Sequence, residues 1–182
     1  MQSIVYSYWG VVHVVAAVAA LVMGTAVLAL PKTSRLHRRL GYGYVGSLAL
    51  MLGTCFGIYR QFQGFGIFHV AALLSAATLA AGMVPVLRKK PVHSWRQLHY
   101  SFLYLSVLEL YVALVAEVLV RLPGWSFWEV AAASLAGVLG PGAVLFGYLR
   151  KRWQLPGAAR TRQATRLYAD QENRAVLAPG RA

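Results

Sequence analysis

Long apolar runs separated by short polar breaks set the pattern of this chain. Five runs stand out, roughly Tyr8–Leu30, Leu36–Tyr59, Gly64–Leu87, Trp95–Arg121 and Trp125–Leu149. A helix needs about 20 mostly apolar residues to cross a bilayer, so each run predicts one membrane-spanning helix. Helix-ending residues mark the breaks. Pro31 closes the first run, Ser34 stands where it can cap the second, Pro91 breaks the third loop, and Pro123-Gly124 separates the last two runs. Gly140-Pro141-Gly142 predicts a kink within the fifth run, because proline removes a backbone donor. Short loops make consecutive helices antiparallel neighbours. The expected fold is therefore all-α, a four-helix antiparallel core with a fifth, peripheral helix. Residues 1–152 would form the membrane domain and 153–182 a basic tail, either a surface helix around Arg160–Asp170 or without fixed structure.

Composition agrees with a membrane protein. Of 182 residues, 58% are hydrophobic and only 13% charged, too apolar for an ordinary soluble domain. The net charge of +13 would suit nucleic acid, but its distribution excludes that partner. Lys32, Arg35, Arg38 and Arg39 fill the first loop; Arg88, Lys89, Lys90 and Arg96 surround the third. Eight more cations follow from Arg150 onward, whereas Arg60 and Arg121 stand alone in the other loops. Such alternation follows the positive-inside rule and predicts an inner (cytoplasmic) membrane location, N-terminus outside and tail in the cytoplasm. Trp9, Trp125 and Trp128 would mark the outer boundary, Trp95 and Trp153 the inner. The first run has no preceding Lys or Arg, which favours a retained span over a cleaved signal. The single cysteine, Cys55, excludes an internal disulfide and cysteine-based metal clusters.

The candidate chemistry lies in the histidines. His13, His37, His69 and His99 fall one per run, with His13 and His69 near the outer ends and His37 and His99 near the inner ends. At about 1.5 Å per residue the two levels are roughly 20 Å apart. In an up-down bundle helices 1 and 3 are diagonal, as are 2 and 4, so each pair faces across the axis. Small residues follow on the same helical faces, Ala16, Ala17, Ala20 and Gly24 after His13, and Ala72, Ala76 and Ala80 after His69. They predict a slot for a flat ligand, and Gly41 repeats the pattern after His37. Phe102 and Leu103 leave less room after His99. Gly53-x-x-x-Gly57 predicts close helix packing instead. Two neutral imidazoles on one iron suit electron transfer. The expected cofactors are thus two b-type haems, ligated by His13 with His69 and by His37 with His99. Tyr44, Tyr100 or Ser106 would bond the free ring nitrogens, and Arg38, Arg39 and Arg96 the propionates. The outer pair, with its flanking small residues, is the stronger. His93 reads as solvated.

Two carboxylates add to this. Glu109 lies near mid-membrane, where an ionisable residue is a functional candidate by default. It is expected to be protonated and bonded to a neighbouring helix, or to carry protons. Glu117 lies 18 residues, five helical turns, after His99; its simplest partner is Arg121, four residues on.

The segment Leu36-His37-Arg38-Arg39-Leu40-Gly41-Tyr42-Gly43-Tyr44, with Phe68-His69, His99-Tyr100, Ala116-Glu117 and Arg121, resembles a bacterial family of predicted multi-pass membrane proteins of unknown function. The likeness runs from about His13 to Arg121 and implies that His37, His69, His99, Glu117 and Arg121 occupy motif positions. Leu103 stands where the family pattern has methionine, and Glu109 is outside the motif. The helix layout also resembles cytochrome b561, where four helices hold two bis-histidine haems, although that family has six spans. The resulting expectation is a dihaem cytochrome passing electrons across the bilayer from a quinol or other small reductant. The rivals are a non-enzymatic subunit or assembly factor of a larger membrane complex, and a small proton-coupled transporter using Glu109 and Glu117.

Overall fold

The computed structural model describes residues 8–32, 34–57, 66–92 and 94–151. It contains helices α1 (Tyr8–Ala29), α2 (Arg35–Cys55), α3 (Ile67–Arg88) and α4 (Trp95–Leu119), followed by α5 (Phe127–Lys151). No strand occurs among the described residues. Helices α1, α3, α4 and α5 are long and apolar enough to cross a membrane, which places the chain in a lipid bilayer. Helix α2 is not as apolar, in contrast to the span expected over Leu36–Tyr59. Its 21 residues would cover about 31 Å at the α-helical rise. The shortfall comes from Arg35, His37, Arg38 and Arg39 at its start and from glycines and tyrosines after them.

The helix ends follow local chemistry. The Ser34 hydroxyl accepts from the His37 amide at 3.0 Å, the cap expected for α2. The Lys32 ammonium donates at 3.0 Å to the carbonyls of Val27 and Leu28, satisfying acceptors that the end of α1 leaves open. Lys89 ends α3 in the left-handed region with φ 54°. Ser126 and Glu129 bond each other's backbone amides, a reciprocal cap at the start of α5.

Glycines let side chains of one helix enter the next. A Cβ at Gly24 would stand 2.8 Å from the Tyr44 ring, and one at Gly43 would stand 2.6 Å from Met23 Sδ. Together with Trp9 beside Gly57, these contacts run antiparallel and lock α1 to α2. Gly82 receives Leu103 in the same way between α3 and α4. The two hairpins then meet through thinner α2–α3 and α1–α4 contacts; the backbones of the diagonal pairs stay more than 8 Å apart, and the Tyr44 side chain of α2 reaches across to Ser106 of α4. This is the helix order expected from short loops. Ala16, Ala20, Tyr44, Leu48, Leu52, Ala72, Leu79, Val107 and Leu110 fill the centre. A Cβ at Gly53 would meet nothing within 4 Å, so the Gly53–Gly57 pair does not form the tight packing face expected.

The chain divides into two compact units, Met1–Leu139 and Gly140–Ala182. The division falls inside α5, whose helical backbone continues through Gly140-Pro141-Gly142. In the first unit, Val130 and Ser134 are buried, and the Phe127 ring meets Phe68 edge-on at 6.0 Å. In the second, Val144 and Tyr148 are exposed. The boundary expected near Arg152 and the tail beyond it lie outside the described residues.

The Gly82 contact yields a prediction. A Cβ there would lie 1.8 Å from Leu103 Cδ2 and 3.2 Å from the Leu103 backbone nitrogen. Gly82→Val should therefore destabilise the bundle by about 1–3 kcal/mol, measured by unfolding in mixed detergent micelles. Gly41→Ala, with nothing within 4 Å, should cause no such loss.

Candidate functional site

Near the start of α1, His13 is fixed by α2. Its Nδ1 lies 3.1 Å from the Met51 carbonyl and 2.9 Å from Thr54 Oγ1. The Thr54 hydrogen is directed to that same carbonyl at 2.7 Å, so both oxygens accept and His13 Nδ1 donates. A neutral His13 therefore keeps its lone pair on Nε2. Cys55 Sγ lies 3.9 Å from Nδ1, and Glu117 is within electrostatic reach of the ring.

His69 is held in the opposite sense. It is only 4% exposed, and its Nδ1 accepts from the Gly66 amide at 3.1 Å. The His69 amide donates back to the Gly66 carbonyl at 3.0 Å. The imidazole thus caps α3, with Phe56 against it at a centroid distance of 5.6 Å. With Nδ1 accepting, a neutral ring carries its hydrogen on Nε2, the nitrogen an axial ligand would need bare. His13 and His69 therefore hold opposite hydrogen-bonding senses at Nδ1.

Beside Gly24, eleven residues along α1 from His13, the expected slot is filled. Ala16, Ala20, Gly24 and Ala72 are buried, but Tyr44 and Val107 occupy the space beside Gly24. Small residues on α1 and α3 therefore seat large ones from α2 and α4. Ala76 and Ala80 line a different feature, an apolar cleft of about 410 Å³ along α2 and α3 that also includes Val45, Gly53, Phe56 and Met83.

At the opposite end of the bundle, His99 Nδ1 lies 3.0 Å from the Gly82 carbonyl. A carbonyl only accepts, so Nδ1 donates and a neutral His99 keeps its lone pair on Nε2. The His37 ring feels the Val27 carbonyl, and Lys32 and His99 both lie within its electrostatic reach. His37 Nδ1 is buried with no hydrogen-bond partner among the described residues. Lys32 acts on His99 as well, and burial pulls its ammonium down to about 8. Lys89 and Arg96 lie over the Trp95 ring, at 4.2 Å and 5.1 Å from its centroid. The expected nitrogen partners Tyr44 and Ser106 instead bond each other at 2.6 Å.

The carboxylates separate cleanly. Glu117 pairs with Arg121 on an exposed surface, the simple account of both residues. Glu109 Oε1 lies 2.9 Å from Thr78 Oγ1 on α3, and its Oε2 is buried without a hydrogen-bond partner among the described residues. Among the described residues, no group of three or more His, Cys, Asp and Glu gathers as a metal site. A bis-imidazole iron needs only two such ligands. His93 lies outside the described residues.

Several partners were invisible in the chain's pattern. Thr54 and Thr78 read as ordinary small residues in apolar runs, and the Gly82 carbonyl has no side-chain signature. Ser126-x-x-Glu129 was readable as a capping box, and Lys32 as a cation just past a helix end. No family model, curated protein or solved structure matches the chain.

Two measurements test these assignments. His69→Ala removes the cap on the Gly66 amide and should lower stability by about 0.5–2 kcal/mol, read by thermal unfolding in detergent. Lys32 has a folded-state value below its unfolded 10.5, so the unfolded chain binds more protons between about 8 and 10.5. Stability should therefore rise with pH through that window relative to Lys32→Met, and a flat difference would contradict the burial of the ammonium.

Proposed function

We propose that the chain is an electron carrier of the cytoplasmic membrane, with a b-type haem held at the inner end of the bundle by His99 and His37. One observation carries the reading. The Gly82 carbonyl orients His99 with Nε2 bare, the way a second partner commonly sets the tautomer of a metal-ligating histidine. His37 supports it with a buried ring nitrogen that has no hydrogen-bond partner among the described residues, in electrostatic reach of His99. When bound, a haem with two axial imidazoles supplies one-electron chemistry without an open coordination site.

The protein's own part is positional. Gly82 fixes one ring, the Ser34 cap fixes the first turn of α2, and the Lys32 charge would attract propionate carboxylates. A second haem at the outer end would need His69 to release Gly66, so one haem is favoured over two. The distribution of Lys and Arg supports an outer N-terminus and cytoplasmic tail, with α2 crossing among its neighbours. A quinol or other small reductant, or a larger membrane complex, would supply the electrons. In the family the chain resembles, His37 and His99 fall on motif positions.

Absorption spectroscopy of the detergent-purified protein after haem-replete expression tests the assignment. About one haem per chain is expected, lost in His99→Ala and His37→Ala and kept in His69→Ala. A colourless protein would overturn the reading and leave the histidines as cross-helix hydrogen bonds in a non-enzymatic membrane subunit.

A further inference from the structure

Electron transfer through the histidines leaves Glu109 without a task. The groups around it are few. Thr78 faces it from α3 at 2.9 Å, and the Tyr44 phenol from α2 lies within electrostatic reach. Ser106, on Glu109's own helix, is tied to Tyr44 at 2.6 Å. On α1, Thr25 bonds Tyr111 at 2.8 Å; His13 and Lys32 belong to the two ends of the bundle. On α5, Glu129 bonds the Ser126 amide.

The hydrogens decide what this arrangement suits. Thr78 has one hydroxyl hydrogen and two acceptors in range, the Leu74 carbonyl at 3.1 Å and Glu109 Oε1 at 2.9 Å. A carboxylic acid makes both bonds at once, its O–H donating to Thr78 and Thr78 donating to Leu74. A carboxylate can use Thr78 only by turning that hydrogen away from Leu74. Its Oε2 would then hold charge at a buried atom with no donor among the described residues, which an apolar surrounding strongly penalises. Tyr44 gives no relief, because Ser106 directs its own hydrogen to the Leu103 carbonyl at 2.9 Å and so takes the Tyr44 hydrogen. A hard metal cation is a poor occupant, since it gathers six or more oxygens and no second carboxylate joins Glu109 in a metal-holding group among the described residues.

We propose that Glu109 is a proton-binding site inside the bundle, with the Thr78 hydroxyl as the two-position switch that reports whether the proton is present. Loading puts the proton on Oε1 and turns Thr78 toward Leu74. Release returns the proton to the aqueous phase and turns Thr78 back to the carboxylate. The site stands independently of haem.

Infrared spectroscopy of the full chain in nanodiscs at neutral pH tests this. The chain has only five Asp and Glu side chains, so a carboxylic-acid C=O band is readily assigned. The expected band shifts in D2O, disappears in Glu109→Gln and persists in Glu117→Gln. Thr78→Val should move the band without removing it, which keeps the test open if Glu109→Gln fails to fold. No acid band in the wild type, a band that survives Glu109→Gln, or one unmoved by Thr78→Val would each overturn the proposal.

Discussion

Lipid offers a polar side chain no alternative partner, and that constraint organises this bundle. His13 reaches Thr54 and the Met51 carbonyl, Tyr44 reaches Ser106, Thr78 meets Glu109, and His99 reaches the Gly82 carbonyl. Each bond joins two helices, so each also fixes how far one helix is slid along another. Apolar packing alone would leave that register loosely set, because lipid tails solvate leucine as well as a neighbouring helix does.

Glycine placement supplies the other half. Gly24 and Gly43 admit Tyr44 and Met23, and Gly82 admits Leu103. Close approach brings the polar partners within bonding distance. The same Tyr44 that fits against Gly24 delivers its hydroxyl to Ser106, so packing and hydrogen bonding act through one side chain.

The helices were legible in the sequence because apolar run length and proline placement are local signals. Helix order was also legible, since short loops force antiparallel neighbours. The site was less so. The stripe Ala16, Ala20, Gly24 has two physical uses, making room for a ligand or for a large side chain, and spacing cannot separate them. Tyr44 and Val107 arrive from helices distant in sequence, and only the fold shows that they take the space. Likewise His69 looked equivalent to His13 in depth, yet Gly66 three residues earlier gives it a local cap. That signal was present in the chain but is uncommon for histidine. Glu109 was legible as an anomaly, while Thr78, its partner, was not.

The claim that cross-helix polar bonds set the register is tested most directly by a double-mutant cycle on Tyr44 and Ser106. Unfolding of Tyr44→Phe, Ser106→Ala and the double variant would be followed in mixed detergent micelles. The account predicts a coupling energy of about 0.6–2 kcal/mol. Strictly additive losses would contradict it.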